Sequence, residues 1–271
     1  MFSVLIPTYH RNDLLRACLE HIVSASQNFE GDYEIIVSDD GKATTAQLLI
    51  ATDFPEVQWA QGPQAGPAAN RNHAARQAKY DWLVFLDDDC LPDAQLLTAY
   101  ADAIQEDQQQ QVFEGKIYAE RERRGFHEEA PINLTGGKFL SCNICLSKST
   151  FEKLDGFDES FPYATMEDTD LKVRILEAGH RIQFVERAAV CHPWRPTKGW
   201  NMYQKRFQSY RRFIEKYPEK KKMHNRVSRL KILISRFLED FQELAKYRFR
   251  GMRFMFYQAA LNVRLLLMKR P

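Results

Sequence analysis

Residues 81–92 of the chain read Asp-Trp-Leu-Val-Phe-Leu-Asp-Asp-Asp-Cys-Leu-Pro. The five apolar residues at 82–86 are too few for a helix, and they predict a β-strand that is buried on both faces. The carboxylates at 87–89 would then lie at the carboxyl end of this strand, where open α/β sheets bind ligands. Because adjacent carboxylates repel one another, a divalent cation with oxygen ligands would stabilise them. A solvent-exposed acidic turn is the alternative interpretation.

The segments before this stretch alternate between short apolar runs and amphipathic runs. Strands are predicted at 2–6, 33–37 and 57–59, and helices at 11–26, 45–51 and 68–79, the first with Asn12 as its N-cap. This order predicts an α/β fold with a mostly parallel central sheet flanked by helices. Residues 33–41 repeat the design of 81–89, because their apolar run ends in Asp39 and Asp40. Acids from two strands are therefore expected to meet one ligand.

The segments after this stretch continue the same alternation. Helices are predicted at 92–106, 151–156 and 166–179, and strands at 111–119, 136–146, 182–185 and 188–192. Residues 120–135 are charged and irregular, which predicts either a mobile flap over the site or a solvent loop. Cys142 and Cys145 have the spacing of half a zinc site, but there is no second pair. Side chains three apart in a strand also face opposite ways, so we exclude zinc.

Charge divides the chain into two regions. Residues 1–194 hold 17 Lys and Arg against 31 Asp and Glu, a net of −14, whereas residues 195–271 hold 21 against 5, a net of +16. This asymmetry predicts two regions with different roles, an acidic domain at 1–194 and a basic, amphipathic helical region at 195–271. The helical region would contact an anionic membrane surface or pack on the first domain. Nucleic acid, which Lys220-Lys221-Lys222 would suit, is not expected beside so acidic a domain.

The cysteines and the apolar runs indicate the cellular compartment in which the protein is expected. Five cysteines, odd in number and scattered, indicate a reducing environment rather than a disulfide framework. The predicted strand at 2–6 leaves no room for a signal peptide. Arg253 and Arg264 interrupt the best candidate for a membrane span. We therefore expect a cytoplasmic protein, and the basic region would allow it to act at the inner face of the membrane.

Seven short motifs between residues 2 and 192 share their order and spacing with one known family. They are Val4–Tyr9, Ile35–Gly41, Gly66–Asn72, Trp82–Asp89, Leu154–Asp158, Glu167–Leu171 and Val190–His192. In these motifs the chain resembles family 2 of the glycosyltransferases, which take nucleotide-sugar donors. The resemblance implies the GT-A fold, a Rossmann-like sheet, and a reaction that inverts the anomeric centre.

The resemblance also implies roles for the residues at the matching positions. Pro7, Thr8, Tyr9 and Asp40 would bind the base of the nucleotide, and Asp88 would meet the ribose or the metal. Arg71 would lie near the phosphates or support the aspartates. A divalent cation, Mn²⁺ or Mg²⁺, would be held by Asp87, Asp89 and His192. Asp168 would be the catalytic base, with Glu167, Asp170 and Asn143 beside it or toward the acceptor. A UDP-sugar is the expected donor, and a glycan or a lipid-linked molecule the expected acceptor.

Two departures from the family pattern refine this expectation. Arg11-Asn12 replaces the common Asn of the first loop. His192-Pro193-Trp194-Arg195 stands where processive polysaccharide synthases carry Gln-x-x-Arg-Trp, so addition of a single sugar is expected. A retaining GT-A transferase, or an inactive module that binds membranes or partners, remains as an alternative. A nucleotidyltransferase is disfavoured because residues 4–9 contain no glycine for a triphosphate loop.

Overall fold

A computed structural model describes residues 1–43, 45–197, 199–218 and 226–267, with the side chains of 226–230 left aside. The chain forms two compact units. We call Met1–Glu120, Pro131–Ser160 and Glu167–Pro193 the sheet unit, and Arg121–Ala130, Phe161–Met166 and Trp194–Pro271 the helical unit. The boundary predicted at 194 stays a prediction, since the helical unit also takes in two short segments from earlier in the chain.

The elements follow one another along the chain as strands and helices. The strands are β1 Phe2–Thr8, β2 Tyr33–Asp39, β3 Gln58–Gln61, β4 Trp82–Leu86, β5 Leu91–Pro92, β6 Val112–Ala119, β7 Glu128–Glu129, β8 Asn143–Ser147, β9 Gln183–His192 and β10 Arg195–Pro196. The helices are α1 Asn12–Ile22, α2 Gln47–Asp53, α3 Pro67–Gln77, α4 Leu96–Glu106, α5 Lys148–Lys153, α6 Glu167–Glu177, α7 Trp200–Lys216, α8 Arg226–Lys246 and α9 Met252–Leu267.

The sheet unit is built on one sheet with the strand order β3-β2-β1-β4-β8-β6-β9-β5. Strands β1 to β4 are parallel, β8 runs antiparallel to both β4 and β6, and β9 is parallel to β6. Helices cover both faces: Val84 and Leu86 pack into one apolar cluster, and Leu83 and Phe85 into the other. The alternation is that of a strand buried on both faces, as the five-residue apolar run predicts. The predicted α/β architecture is confirmed.

The parallel strands bring their carboxyl ends to one edge of the sheet. β1 and β2 are in register from Phe2 with Tyr33 to Thr8 with Asp39, and β4 pairs with the other side of β1. The chain therefore leaves β1, β2 and β4 at neighbouring points. The acidic residues that follow β2 and β4 start from this edge, which is why they share a site with the loop after β1.

Three local predictions differ from the structure. Residues 183–192 form one strand where two were predicted, at 182–185 and 188–192. A register shift between Gly115 and Lys116 lets β6 pair with β9 on both sides of the shift. Helix α4 begins only at Leu96, since Leu91–Pro92 pairs with β9. Arg11, not Asn12, is the N-cap of α1, and the Asn12 amide instead donates to the Thr45 carbonyl at 3.2 Å.

The helical unit has its own apolar core, formed by Phe126, Tyr203, Leu244, Phe254, Met255 and Leu261. Arg123 ties residues 121–130 into this unit: its guanidinium lies over the rings of Phe126, Trp194 and Tyr247, at 5.2 to 5.8 Å. β7 pairs with β10. The segment predicted at 120–135 as a flap or a solvent loop is thus partly ordered by this unit.

Some predictions for the basic region concern positions that the structure does not describe. Lys220, Lys221 and Lys222 lie outside the described residues, and so does Met268 near the end of the basic region. The side chain of Leu230 in the same region is also outside them. Among the residues that are described, every helix is too short or too polar to cross a membrane.

Candidate active site

The loop after β4 carries three carboxylates that the sheet edge brings against the end of β1. Thr8 donates its hydroxyl to Asp88 Oδ2 at 2.8 Å. Arg11, just beyond β1, donates from one terminal nitrogen to Asp88 Oδ1 at 2.9 Å and to Asp89 Oδ2 at 3.3 Å. Burial raises the pKa of Asp88 to about 6 even though Arg11 opposes the shift. This carboxyl group is therefore poised to lose or keep its proton near neutral pH.

Arg71 joins the two groups of acids that the sequence places far apart. It lies on α3, and its two terminal nitrogens donate to Asp87 Oδ1 at 2.7 Å and to Glu167 Oε1 at 3.2 Å. Burial opposes its charge, but Asp87 and Glu167 hold the pKa of Arg71 above its ordinary value. A permanently charged, two-pronged guanidinium can hold two carboxylates at fixed positions, which an ammonium group does less well. The predicted supporting role of Arg71 agrees with this geometry.

Asp168 and Glu167 form the first turn of α6. Asp168 accepts hydrogen bonds from the backbone N–H groups of Thr169, at 2.7 Å, and of Ser141. Burial raises the pKa of Asp168 against these bonds, and burial together with Asp168 raises the pKa of Glu167 to about 7. Glu167 Oε2 is buried without a hydrogen-bond partner among the described residues. Two adjacent carboxylates with raised pKa values form a group that can take up a proton.

Asp89 and His192 provide the best-matched ligands for a cation. His192 Nε2 lies 3.2 Å from Asp89 Oδ1, and both side chains are almost fully buried. Carboxylate oxygen and imidazole nitrogen together suit Mn²⁺. The thiol of Cys90 is also within reach. The contact with Cys142 and burial raise the pKa of Cys90 well above its usual range, which disfavours the thiolate form that binds metals.

The second acidic pair organises the loop after β3. Asp40 Oδ1 accepts from the backbone N–H of Gln64 at 2.9 Å, and its Oδ2 accepts from that of Gly66 at 3.2 Å. A Cβ atom on Gly62 would lie 2.3 Å from Asp40 Oδ1, so only glycine allows this approach. Burial raises the pKa of Asp40. Asp40 thus holds the loop between β3 and α3 in place, next to the predicted base-binding residues.

The remaining residues predicted for the nucleotide lie at the same edge. Pro7 and Thr8 are the last residues of β1, and Pro7 pairs with Ser38 of β2. Tyr9 follows them with 56% of its surface exposed, so its ring is available to a ligand. The structure therefore brings Pro7, Thr8, Tyr9 and Asp40 to one edge of the sheet, and nucleotide binding by them stays a prediction.

Asn143 and Asp170, predicted beside the base or toward the acceptor, form hydrogen bonds inside the fold. Asn143 is fully buried, where it accepts from the Tyr100 hydroxyl at 2.8 Å and donates to the carbonyls of Lys116 and Ala188. It thus holds the register shift between β6 and β9. Asp170, also fully buried, accepts from Arg174 at 2.8 Å. Both side chains thus support the fold around the site, and their expected place beside the base or toward the acceptor stays a prediction.

Two further residues belong to the site and were not predicted for it. Arg11 neutralises Asp88 and Asp89, and its place in a loop where the family usually has Asn was the signal available. Glu114 is buried in β6 and accepts from the backbone N–H groups of Gly137 and Phe139, the latter at 2.7 Å. It thereby orders the loop that leads to Ser141. A glutamate inside an apolar strand was the signal here.

Comparisons with known protein families agree with this geometry. The model of glycosyl transferase family 2 matches residues 3–148, and that of the N-terminal domain of galactosyltransferase matches residues 124–193. A GalNAc(5)-diNAcBac-PP-undecaprenol beta-1,3-glucosyltransferase of Campylobacter jejuni is 34% identical over 92 residues, which cover 32% of this chain and 29% of the relative. The chain spans less than a third of the length of three curated relatives that it matches.

Solved structures show the same fold at low sequence identity. TarS 1–349 of S. aureus, in complex with UDP-GlcNAc, superposes with a TM-score of 0.59 at 20% identity, covering 79% of this chain and 66% of TarS. The mannosyltransferase PcManGT of Pyrobaculum calidifontis, in complex with GDP-Man and Mn²⁺, gives 0.60 at 16% identity, covering 98% of this chain and 71% of that one. With its GT-A fold and a family match over more than half its length, the chain belongs to family 2 of the glycosyltransferases.

Proposed function

We propose that this chain transfers a single sugar from a nucleoside diphosphate donor to a hydroxyl group, with inversion at the anomeric carbon. The observation that carries the proposal is the two-sided arrangement around Arg71. Asp87 and its neighbours lie on one side of this guanidinium, and Glu167 and Asp168 lie on the other. The first group serves the leaving diphosphate, and the second serves the attacking hydroxyl.

The donor half of the site is the pocket formed by Pro7, Thr8, Tyr9 and Asp40. A buried carboxylate beside an exposed aromatic ring suits a flat base that carries an N–H donor. UDP-sugars are our first candidates, because TarS binds UDP-GlcNAc, and GDP-sugars are the second, because PcManGT binds GDP-Man. Asp88 would contact the ribose, and Arg71 keeps Asp87 in place beneath the diphosphate.

A divalent cation fits the residues on the far side of this pocket. Asp89 and His192 would hold Mn²⁺ or Mg²⁺, with Asp87 near them, and the ion would neutralise charge on the diphosphate oxygens. Two properties of this chain favour cation binding by an oxygen and a nitrogen ligand. Arg11 already balances the charge of Asp88, and the raised pKa of the Cys90 thiol disfavours a sulfur ligand.

Asp168 is the proposed general base. The N–H groups of Thr169 and Ser141 orient its carboxylate. Glu167 beside it forms an ion pair with Arg71, and the positive charge of Arg71 also favours the ionised form of Asp168. Its raised pKa makes it a stronger base than an exposed aspartate, which favours removal of the acceptor's proton as the hydroxyl attacks. A single displacement of this kind inverts the anomeric carbon, whereas a retaining transferase would give the other anomer.

The acceptor is proposed to be a glycan or a lipid-linked molecule. The C. jejuni relative is named for an undecaprenol-linked substrate, and residues 195–271 carry the positive charge that an anionic membrane surface attracts. Such an acceptor places the enzyme at the inner face of the membrane. An inactive tethering module is the competing function, and it requires no nucleotide binding.

Calorimetric titration tests the proposal directly. UDP, GDP, dTDP and CMP are titrated into wild type, Asp89→Asn and Asp168→Asn, each with Mn²⁺ and with EDTA, and Asp53→Asn on the surface of α2 is the control. We expect one nucleotide to bind with Mn²⁺, Asp89→Asn to lose this binding, and Asp168→Asn to keep it. Donor turnover should fall about 10³-fold or more in Asp168→Asn. Failure of every nucleotide to bind would favour the tethering module, and a retained anomer would overturn the inverting mechanism.

A further inference from the structure

The helical unit exposes an apolar surface that its own core does not use. Ile234, Phe237, Leu238 and Phe241 recur at the i, i+3, i+4, i+7 spacing that places them on one face of α8, and each exposes 40 to 52% of its surface. We call these four residues the apolar face. Ile234, Phe237 and Leu238 also line a cavity of about 260 Å³ together with Val263 of α9. A contiguous exposed surface of this kind marks a site of interaction.

The turn between α8 and α9 continues this surface. Phe249 packs its ring against Phe241 with the centroids 5.9 Å apart, and it is 52% exposed. Met252 and Phe256, one helical turn apart at the start of α9, expose 49% and 53%. Phe249 has φ of 61°, in the left-handed region that a bulky residue seldom adopts. The backbone therefore holds an exposed aromatic ring in a turn conformation that a bulky residue seldom adopts.

Four cations surround these apolar side chains. Lys246, Arg248, Arg250 and Arg253 fall within eight residues of sequence, and all four are exposed. None of them forms an ion pair with a carboxylate in the part of the chain that the structure describes. We call residues 246–256 the basic corner. Unpaired cations that alternate with exposed Phe and Met are the pattern of a segment that enters the headgroup layer of a membrane.

We propose that the basic corner and the adjoining apolar face bind the surface of an anionic lipid bilayer. Phe249, Met252 and Phe256 would enter the boundary between headgroups and acyl chains, and the four cations would meet lipid phosphates. The inference rests on the proposed membrane-surface acceptor and deepens it, because it names the segment and the lipid chemistry. Binding depends on both components, apolar insertion and charge, so either one alone would be weak.

Charge disfavours a second copy of the chain as the occupant. In a symmetric dimer built on this surface, the same patch meets itself, and the four cations of one copy would face those of the other. Juxtaposed like charges oppose such an interface. An anionic bilayer instead matches the cations with phosphates while it accepts the apolar side chains.

The test is sedimentation of the full chain with vesicles of phosphatidylcholine, alone or mixed with phosphatidylglycerol. Two variants remove one component each: Phe249→Asn, because Asn tolerates the left-handed backbone, and the double change Arg248→Gln with Arg250→Gln. The matched controls are Leu48→Asn, which removes a side chain that is 79% exposed on α2, and Arg187→Gln with Arg211→Gln. Circular dichroism and the calorimetric nucleotide titration, run on every variant, separate loss of folding or of donor binding from loss of lipid binding.

Wild type is expected to bind only vesicles that contain phosphatidylglycerol, and less tightly as salt is added. The double arginine variant should bind about 30-fold more weakly, and Phe249→Asn about tenfold more weakly, with both controls unchanged. The proposal is overturned if wild type does not bind the vesicles. It is overturned equally if Phe249→Asn and the double arginine variant bind them as tightly as the controls do. It is also overturned if wild type dimerises without binding lipid and Phe249→Asn abolishes the dimer in ultracentrifugation.

Discussion

Arg71 and Glu167 form an ion pair of 3.2 Å although neither side chain exposes more than 4% of its surface. The pair links α3 to α6, two helices that are separated by 90 residues of sequence. Arg71 simultaneously donates to Asp87 at the end of β4. One guanidinium therefore joins Asp87 to Glu167, and with them the two halves of the proposed site. Breaking such a pair leaves a buried charge without compensation, which is costlier than losing a surface contact.

Replacement of Arg71 by Met should consequently damage both folding and transfer. We expect Arg71→Met to lower the free energy of unfolding by about 3–5 kcal/mol, because Asp87 and Glu167 lose their shared cation. Arg71→Lys should restore part of the stability but little of the activity, because an ammonium cannot bond both carboxylates in the same geometry. Urea denaturation and donor turnover measure the two effects. Arg76→Met, on the exposed side of the same helix, is the control, and equal losses in it would refute the prediction.

The raised pKa values at the start of α6 should appear in the pH dependence of transfer. A base works when deprotonated, so the rate should rise with pH through the raised pKa of the Glu167–Asp168 pair, at a higher pH than for an ordinary aspartate. Glu167→Gln removes from this pair the carboxyl group that titrates near pH 7 and leaves Asp168 to ionise alone, so the acid limb should move to lower pH. The measurement is kcat against pH with saturating donor. An acid limb in the same place for wild type and Glu167→Gln would remove Glu167 from the argument.

The sequence predicted the sheet and the positions of its acids because both depend on local pattern. Residues 82–86 are apolar without interruption, and a strand of that kind has to be buried on both faces. The carboxylates after β2 and β4 then follow from parallel pairing alone. Helix limits were less accurate: Pro92 left the predicted helix because Leu91–Pro92 could pair with β9, and that partner is about a hundred residues away.

The hydrogen bonds that arrange the site were not predictable in the same way. Asn143 belongs to the register shift between β6 and β9, and nothing in residues 136–146 indicates that pairing. Arg11 reaches Asp88 across 77 residues of sequence, and Glu114 reaches Phe139 across 25. Each of these contacts requires the finished sheet. Local pattern therefore identified which residues carry charge at the edge, but not which of them hold the others in place.

The structural role of Asn143 is testable. Asn143→Ala would leave the Tyr100 hydroxyl and the carbonyls of Lys116 and Ala188 without a buried partner. Because each unsatisfied buried group costs on the order of 1–3 kcal/mol, we expect a loss of about 3 kcal/mol or more in urea denaturation. The KM for the acceptor should not change at a temperature where the variant is folded. Asn12→Ala, which loses one bond near the surface, is the control. A changed acceptor KM without loss of stability would return Asn143 to the acceptor site.

Stability without metal should fall as pH rises above about 5. The folded chain holds protons on Asp88 up to about pH 6 and on Glu167 up to about pH 7, whereas both groups lose them near pH 4 when unfolded. The folded state therefore binds more protons across this window, and linkage then makes unfolding easier as pH increases.

His192, whose folded pKa is also raised, contributes stability that is lost in the same direction. Glu128 acts oppositely, but only at lower pH, because Arg121 lowers its pKa to about 2. In EDTA, the melting temperature should thus drop by about 5 °C or more between pH 5.5 and pH 8. Glu167→Gln should flatten this decline, while Asp53→Asn should leave it unchanged. The measurement is the melting temperature by calorimetry across this pH range. A melting temperature that rises toward pH 8 would contradict the prediction, because it would show that the buried carboxyl groups ionise in the folded chain at little cost in free energy.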